Sequence, residues 1–484
     1  MQQLSKDLSA NLAVLDEMFG TSADYYAKEI VIYQCRGSIV LFDGLASLDS
    51  LWELLLDAAS RQPRPAPGGE TGAQVFERIF RDSIFPAESE AVTGLEELVK
   101  RLTAGMAVLL LDGCEKGIAF SVQSLKARSV EEPSGEGDLR GSREGFADLL
   151  WVNLSLLRRL VRTEHLVQEV QQADTEMKTE YAVCYCKNRA DPAMVQRVKQ
   201  TLSAAKPEFL LDSSYFVPWL LPTHGRLFTP VSYTERPAVA AAKLCEGKIL
   251  VLVNGSPSAM ILPALFCENF ECLDDYASTA VFSSFLRILK YISFYLTVFL
   301  PGVFVCLAVY LPELIPPQLL YKIEAAEKAT PLPLFAEMLL VMLILEVIRE
   351  AGLRMPQSLG HSVSLVSALI IGDAAIATGL MSTPVIFVAS ITAIAVFVTP
   401  SLYEPATLLR LGTVLAAGLA GPVGLAAAFF AFLLSLSGTS CLQVPYLAAH
   451  PFPQQPLAGD GVVRRNYRRL SEKSFNIWQK QEKK

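Results

Sequence analysis

The hydrophobic pattern divides the chain in two. Residues 1–285 interleave short apolar runs with charges, glycines and turn residues, whereas from Ile288 to Leu447 apolar stretches dominate and charges become rare. Runs of about 18 or more apolar residues are long enough to cross a bilayer. The pattern therefore predicts an α/β soluble N-terminal half followed by an all-α, multi-pass membrane domain.

Within the first half, residues 1–27 read as a helical lead-in. Glu29–Phe42 has the composition of a strand, Leu45–Ala59 that of a helix, and Arg61–Gly72 is a Pro/Gly-rich loop. Met106–Val122 reads as a β-hairpin, two apolar runs around a Gly-containing turn. The same order returns later: Glu180–Leu202 runs strand then helix, and Lys248–Leu265 runs strand, Asn-Gly turn, strand. The similar spacing predicts two related α/β subdomains, at 28–125 and 178–285. The joining stretch, 126–177, starts as a charged loop and ends in an amphipathic helix from about Gly145.

The membrane domain is predicted over 286–450, with about four spans and an interfacial helix. Ile288–Leu311 is the first span, with Arg287 and Lys290 at its cytoplasmic mouth. Pro312–Pro333 is too charged and Pro-rich to cross. Leu334–Met355 carries Glu346, Arg349, Glu350 and Arg354 on one face and reads as interfacial. His361–Leu380 and Pro384–Pro400 are spans, and Leu411–Gly438 is one long span or two short ones broken near Gly421-Pro422. Glu404 and Arg410 read as interfacial charges at a span end. Residues 451–484 form a basic tail, including Arg464, Arg465, Arg468, Arg469 and Lys473. Such a cluster beside a membrane segment belongs on the cytoplasmic side, where it is either drawn to anionic headgroups or simply solvated. With the soluble half and the tail on one side, an even number of spans is expected.

Composition sharpens this picture. Of the 484 residues 51% are hydrophobic, and mean hydropathy is +0.34. The net charge of −7 argues against nucleic acid as a partner. The nine cysteines show no disulfide or zinc spacing and read as reduced and structural. The N-terminus lacks a basic region followed by an apolar core, so no secretory signal is expected. His165, His224, His361 and His450 pair with no acid or histidine at ligand spacing, and no nucleotide, protease or hydrolase motif is present. No enzyme, metal or cofactor is expected, and "NGSPS" reads as a hairpin turn.

Chemistry concentrates in "SALIIGDAAIATGL" (Ser367–Leu380). On a helix, Ser364, Ser367, Ala368, Ala375 and Gly379 share one face, a small-residue stripe suited to helix packing. Asp373 lies opposite with Ser362, Val366 and Leu369. A carboxylate facing lipid near mid-bilayer costs on the order of 2.5 kcal/mol or more. This second face is therefore the candidate ion path, unless a neighbouring helix satisfies Asp373 or the acid lies nearer the interface. Pro301-Gly302 reads as a packing detail of the first span.

Several segments, in order, resemble the GerA-type spore germination protein A-subunit family: "EEP…GSREGFADLLWVNLSLLRR" (Glu131–Arg159), "ERPAVAAAKLCEGKILVLVNGSPSAMILP" (Glu235–Pro263), the entrance to the membrane at Leu273–Pro316, and "EVIREAGLRMPQSLGHSVSLVSALIIGDAAI" (Glu346–Ile376). The resemblance covers about Met106 to Phe452. It implies a two-part cytoplasmic domain and a multi-pass domain in the inner membrane of the endospore, on the spore-core side. It also implies a subunit that oligomerises around an ion path and works with B-type and C-type subunits, or with a different partner in the stage V sporulation AF branch. The chain departs from the family pattern at Asn254, where Asp is usual, at Ala238, where an acid is usual, and at Asp373, where Gln is common. The expected function is a membrane subunit, homo-oligomeric, that forms or gates a cation path in response to a germination signal. An ion-coupled transporter, a transport accessory or a membrane-anchored scaffold are the alternatives; inverted repeats, the mark of a transporter, are not visible between the membrane segments.

Overall fold

The computed structural model describes residues 3–46, 71–81, 89–122, 141–221, 227–354, 373–448 and 461–464. The predicted helix beyond Ala46, the Arg61–Gly72 loop up to 70, most of His361–Leu380 and the basic tail after Arg464 lie outside these residues. The described residues form two compact units, one within 1–223 and 231–264, the other within 227–230 and 265–464.

The first unit is mixed α/β and built twice from one plan. Its elements are α1 (Leu8–Phe19), β1 (Tyr25–Ile32), β2 (Cys35–Phe42), α2 (Gly72–Arg81), β3 (Ser89–Val92), α3 (Leu95–Thr103), β4 (Ala107–Leu111) and β5 (Gly117–Phe120). There follow α4 (Leu150–Leu160), β6 (Leu166–Gln172), β7 (Glu180–Cys186), α5 (Pro192–Ala204), β8 (Ser232–Thr234), α6 (Pro237–Cys245), β9 (Ile249–Val253) and β10 (Ala259–Leu262). The strand orders are β1-β2-β4-β5-β3 and β6-β7-β9-β10-β8, the same topology. Alternation along β2 explains why both faces are covered: Val40 and Phe42 face the core under α1 and α3, Ile39 and Leu41 the core under α2.

The duplication extends to single hydrogen bonds. Asn11 takes the Ser5 N–H on Oδ1 and returns Nδ2–H to the Ser5 carbonyl, at 2.9 and 2.7 Å. Asn153 does the same with Ala147, at 2.7 and 2.6 Å. Asp112 Oδ1 accepts the first amide of α1 from Leu8 at 3.3 Å, and Asn254 Oδ1 accepts that of α4 from Leu150 at 3.1 Å. The next residues, Gly113 (φ +79°) and Gly255 (φ +95°), donate to Lys6 O and Asp148 O at 2.8 and 2.7 Å. Each hairpin turn thus satisfies an orphan N–H at a helix start, and the left-handed backbone that aims the glycine amide suits glycine.

One predicted element divides. Glu29–Phe42 is not a single strand but most of the β1–β2 hairpin, paired antiparallel from Tyr25↔Phe42 to Ile32↔Cys35. Its two-residue turn is Tyr33-Gln34, both at positive φ (50° and 66°). The backbone is that of a tight hairpin turn, but without the Asn-Gly chemistry that would betray it in sequence.

The second unit is helical: α7 (Asp274–Ala277), α8 (Ala280–Tyr310), α9 (Pro317–Glu327), α10 (Leu334–Arg354), a helical segment at 373–377, α11 (Thr383–Val396) and α12 (Tyr403–Gly438). Two of the described helical stretches, Ala280–Tyr310 and Pro400–Gly438, are long and apolar enough to cross a membrane, the second counted across its break at Gly421. The region predicted as the span Pro384–Pro400 is helical for only 14 residues, about 21 Å at 1.5 Å per residue, short of the ~30 Å hydrocarbon core.

The break expected at Gly421-Pro422 is a reversal. Gly421 has φ 56° and ψ −135°, which no helix contains, and Pro422 opens the second half, where its missing N–H is harmless. Along the first half, the Thr413 hydroxyl donates to Val298 O of α8 at 2.7 Å and Gly418 O accepts from the Tyr310 hydroxyl at 2.7 Å. Along the second half, Phe432 returns to Phe294 and Phe299 of α8, at 6.2 and 5.6 Å between ring centres. Ala406, Leu409, Phe432 and Leu436 share one core cluster. The halves therefore form a hairpin, and Gly424 fits because a Cβ there would meet Ala416 O at 1.9 Å. In α8, a Cβ at Gly302 would lie 2.9 Å from Thr413 O, so Pro301-Gly302 is where α12 approaches the backbone of α8.

Candidate functional site

The residues of the soluble-half signature hold the first unit together. Phe146 donates its amide to Glu235 O at 2.7 Å, and Arg236 donates to Ser142 O at 2.9 Å, so "REGF" and "ERP" meet. Arg159 pairs with Glu144. Arg158 is fully buried and forks onto Asp24 through Nε and Nη2 (2.6 and 2.9 Å), with Ser22 Oγ at 2.9 Å. Its guanidinium lies 4.5 Å from the centre of the Phe42 ring. The second repeat is thereby bolted to the first through a bidentate, hydrogen-bonded ion pair.

Asn254 and the serines of "NGSPS" are likewise structural. Asp212 accepts from Ser256 Oγ (2.5 Å), Ser258 Oγ (2.9 Å) and Ser214 N (2.8 Å). Burial alone would raise its pKa, but these donors outweigh it and hold the carboxyl below its ordinary value. All nine cysteines are free. Burial pushes the Cys184 thiol up, and takes Cys186 to about 12, so both stay protonated and inert. Among the described residues no three His, Cys, Asp or Glu side chains converge as metal ligands.

The charges of the second unit converge where apolar helices pack. Glu346 of α10 receives three partners: an ion pair from Arg410 of α12, a hydrogen bond from the Tyr403 hydroxyl, and Arg349 at 3.8 Å. The Arg349 guanidinium also covers the Tyr403 ring. Arg410, read from sequence as an interfacial charge, is only 2% exposed, because Glu346 draws it inward. On α10, Leu334, Met338, Val341 and Met342 are buried among Val305, Val385 and Val414.

At the base of α8, Arg287, expected at the cytoplasmic mouth of the first span, is fully buried and bound to Asp275 Oδ2 at 2.7 Å and Gly461 O at 3.0 Å. Arg464, counted with the basic tail, is buried too. It donates to the carbonyls of Asp275 and Ser278, at the C-terminal end of α7, and its amide bonds Ser284 Oγ at 3.0 Å. The unpaired carbonyls at a helix end explain why an arginine is drawn there.

Of the predicted path and packing residues, Ser362, Ser364, Val366, Ser367, Ala368 and Leu369 lie outside the described residues. Asp373 is exposed, in the helical segment 373–377, and makes no ion pair or hydrogen bond among the described residues. It stands about one turn from the segment's end, not mid-helix, because Gly379 at φ +68° stops the helix, with Leu380 and Met381 both donating to Ala375 O. Ala375 is buried beside Met338 and Met381, so it packs, whereas Gly379 lies beyond the helix and outside any helical stripe. The Glu346–Arg410 pair was missed; its signal was two opposite charges on separate apolar helices.

Residues 13–474 match the family model of the Bacillus/Clostridium GerA spore germination protein. The chain belongs to the GerA family. Spore germination protein KA of Bacillus subtilis (strain 168) is 29% identical over 464 residues, 95% of this chain and 84% of that protein. Stage V sporulation protein AF of the same organism is 29% identical over 443 residues, 88% of this chain and 86% of that protein. The crystal structure of the N-terminal domain of the A subunit of the Bacillus megaterium spore germinant receptor GerK3 aligns with 55% of this chain and 98% of that chain, with 24% identity and a TM-score of 0.44.

Proposed function

We propose that this GerA-family protein is a multi-pass subunit of a germination complex in the endospore inner membrane, with its N-terminal half and tail on the core side. It oligomerises around a cation path, together with B-type and C-type subunits or a partner of the stage V branch. One observation carries this reading: Asp373 is an exposed carboxylate, unpartnered among the described residues, on a helical unit whose other exposed residues include Ile376, Leu380, Phe387 and Ile394. A carboxylate left facing lipid is unfavourable by about 2.5 kcal/mol or more at mid-bilayer, less near the interface. Water or a neighbouring subunit must meet it, and one acid per chain becomes a ring in a symmetric assembly. The expected result is cation-selective current from the purified protein in planar bilayers, reduced in selectivity by Asp373→Asn. Unchanged selectivity at normal protein level removes Asp373 from the path, and absence of any current from the assembled complex removes the path itself.

A further inference from the structure

One acid of the helical unit is left over from this account. Glu337 lies in the first turn of α10 and is 0% exposed. Its Oε1 accepts the amide of Ser382, the residue that caps α11. Its Oε2 is buried without a hydrogen-bond partner among the described residues, and Glu337 forms no ion pair there.

Among the described residues, the surroundings supply no cation to Glu337. From α9 comes Glu327, whose Oε1 accepts the Leu334 amide at 3.4 Å. The lysines of that region, Lys322 and Lys328, are exposed, and Lys328 pairs with Glu324. Between Thr383 and Val396, α11 carries no charged side chain. The segment 373–377 brings only the exposed Asp373. The upper part of α8 brings Cys306 and Tyr310, the latter bonded to Gly418 O. From α12, Tyr403 and Arg410 are engaged with Glu346, and Glu404 adds another acid.

A buried carboxylate with one satisfied oxygen and, among the described residues, neither a partner for the other nor a cation has a simple way to lower its energy, which is to take a proton on the orphan. We propose that Glu337 is a proton-binding site, and that its occupancy sets how firmly the elbow between segment 373–377 and α11 is held to α10. Ionised, Glu337 accepts a charge-assisted bond at the positive end of α11. When a solvent proton occupies Oε2, Oε1 is a weaker acceptor and the attraction to the helix end disappears. The elbow then loosens at Thr378–Ser382, next to Asp373. This regulation rests on the proposed function only in what it would control; the proton site itself does not depend on it.

The test uses the full-length protein in lipid nanodiscs. Hydrogen exchange of the elbow amides, corrected for intrinsic rates, is compared at neutral and mildly acidic pH for wild type, Glu337→Gln and Asp373→Asn. Infrared difference spectra of the same samples follow the protonated-carboxyl band. Wild type and Asp373→Asn should lose elbow protection about fivefold on acidification, the difference between a charged and a neutral acceptor. Glu337→Gln, which keeps an acceptor but cannot titrate, should be loose at both pH values and lack the carboxyl band, with α8 and α12 protected as in wild type. A pH response unchanged in Glu337→Gln, or absent from wild type, overturns the proposal. Neither readout needs ion flux, so a protein that conducts nothing still reports on Glu337.

Discussion

Glu346 and Arg410 form an ion pair between α10 and α12, and the Tyr403 hydroxyl occupies the second carboxylate oxygen. With Arg410 buried and Glu346 only partly exposed, the pair is not a cheap source of stability, since desolvation offsets much of the attraction. What it does fix is register. Two helices that could slide past one another are held at one relative position, because any other separates Arg410 from Glu346.

Removing one partner should therefore be worse than removing both. Arg410→Met leaves Glu346 with only Arg349, 3.8 Å away, and should destabilise the full-length protein by up to about 3 kcal/mol in denaturant unfolding. Glu346→Leu combined with Arg410→Met should recover most of that loss. Equal losses in the single and double variants would show that the pair contributes no coupling.

The Asn254 departure from the family pattern should be silent in one direction and not in the other. Asn254 Oδ1 caps α4 as Asp112 Oδ1 caps α1, and either side chain offers that acceptor. Asn254→Asp is expected to unfold at the wild-type midpoint. Asn254→Ala loses a cap and should cost about 1 kcal/mol. An Asp variant as weak as the Ala variant would mean that the Nδ2 group, not the acceptor, is what the turn requires.

These elements show what the sequence could and could not disclose. The two hairpins Ala107–Phe120 and Ile249–Leu262 were legible because apolar runs flank Asp-Gly and Asn-Gly turns. The β1–β2 turn was not, because Tyr33 and Gln34 adopt positive φ with no glycine to announce it. Gly421-Pro422 marked a break, but only the return of Phe432 to Phe294 distinguishes a hairpin from a kink. Charges in apolar helices were visible as anomalies, yet their pairing is a tertiary property. Asp373 drew attention by standing in an unbroken apolar run, while Glu346 and Arg410, the charges that packing commits, looked interfacial because each sits near others of its kind.

Acid should weaken the first unit partly through Asp212. Its pKa is held below the ordinary value by Ser256, Ser258 and Ser214, against the opposing effect of burial. A depressed carboxylate contributes stability that is present above its unfolded pKa, about 3.9, and is lost as pH falls through the lower folded value. Unfolding midpoints of wild type and Asp212→Asn should differ most above about pH 4 and converge below it. A gap that stays constant down to the acid limit would assign the effect of the variant to packing instead.

The reversal of α12 should tolerate no side chain at its apex. Gly421 adopts φ 56° and ψ −135°, a region nearly closed to residues with a Cβ, and a Cβ there would lie 2.8 Å from the Tyr310 ring. Gly421→Ala thus combines backbone strain of about 1–3 kcal/mol with a steric clash. The two can be separated. Tyr310→Ala removes the ring, so the Gly421→Ala/Tyr310→Ala double variant should relieve the clash while keeping the strain. It should be more stable than the sum of its two single losses predicts, yet less stable than Tyr310→Ala alone. The thermal midpoints of the four full-length proteins in detergent form a complete cycle. A Gly421→Ala protein that melts with wild type would mean that α12 passes its apex as a continuous helix, and the hairpin would have to be abandoned.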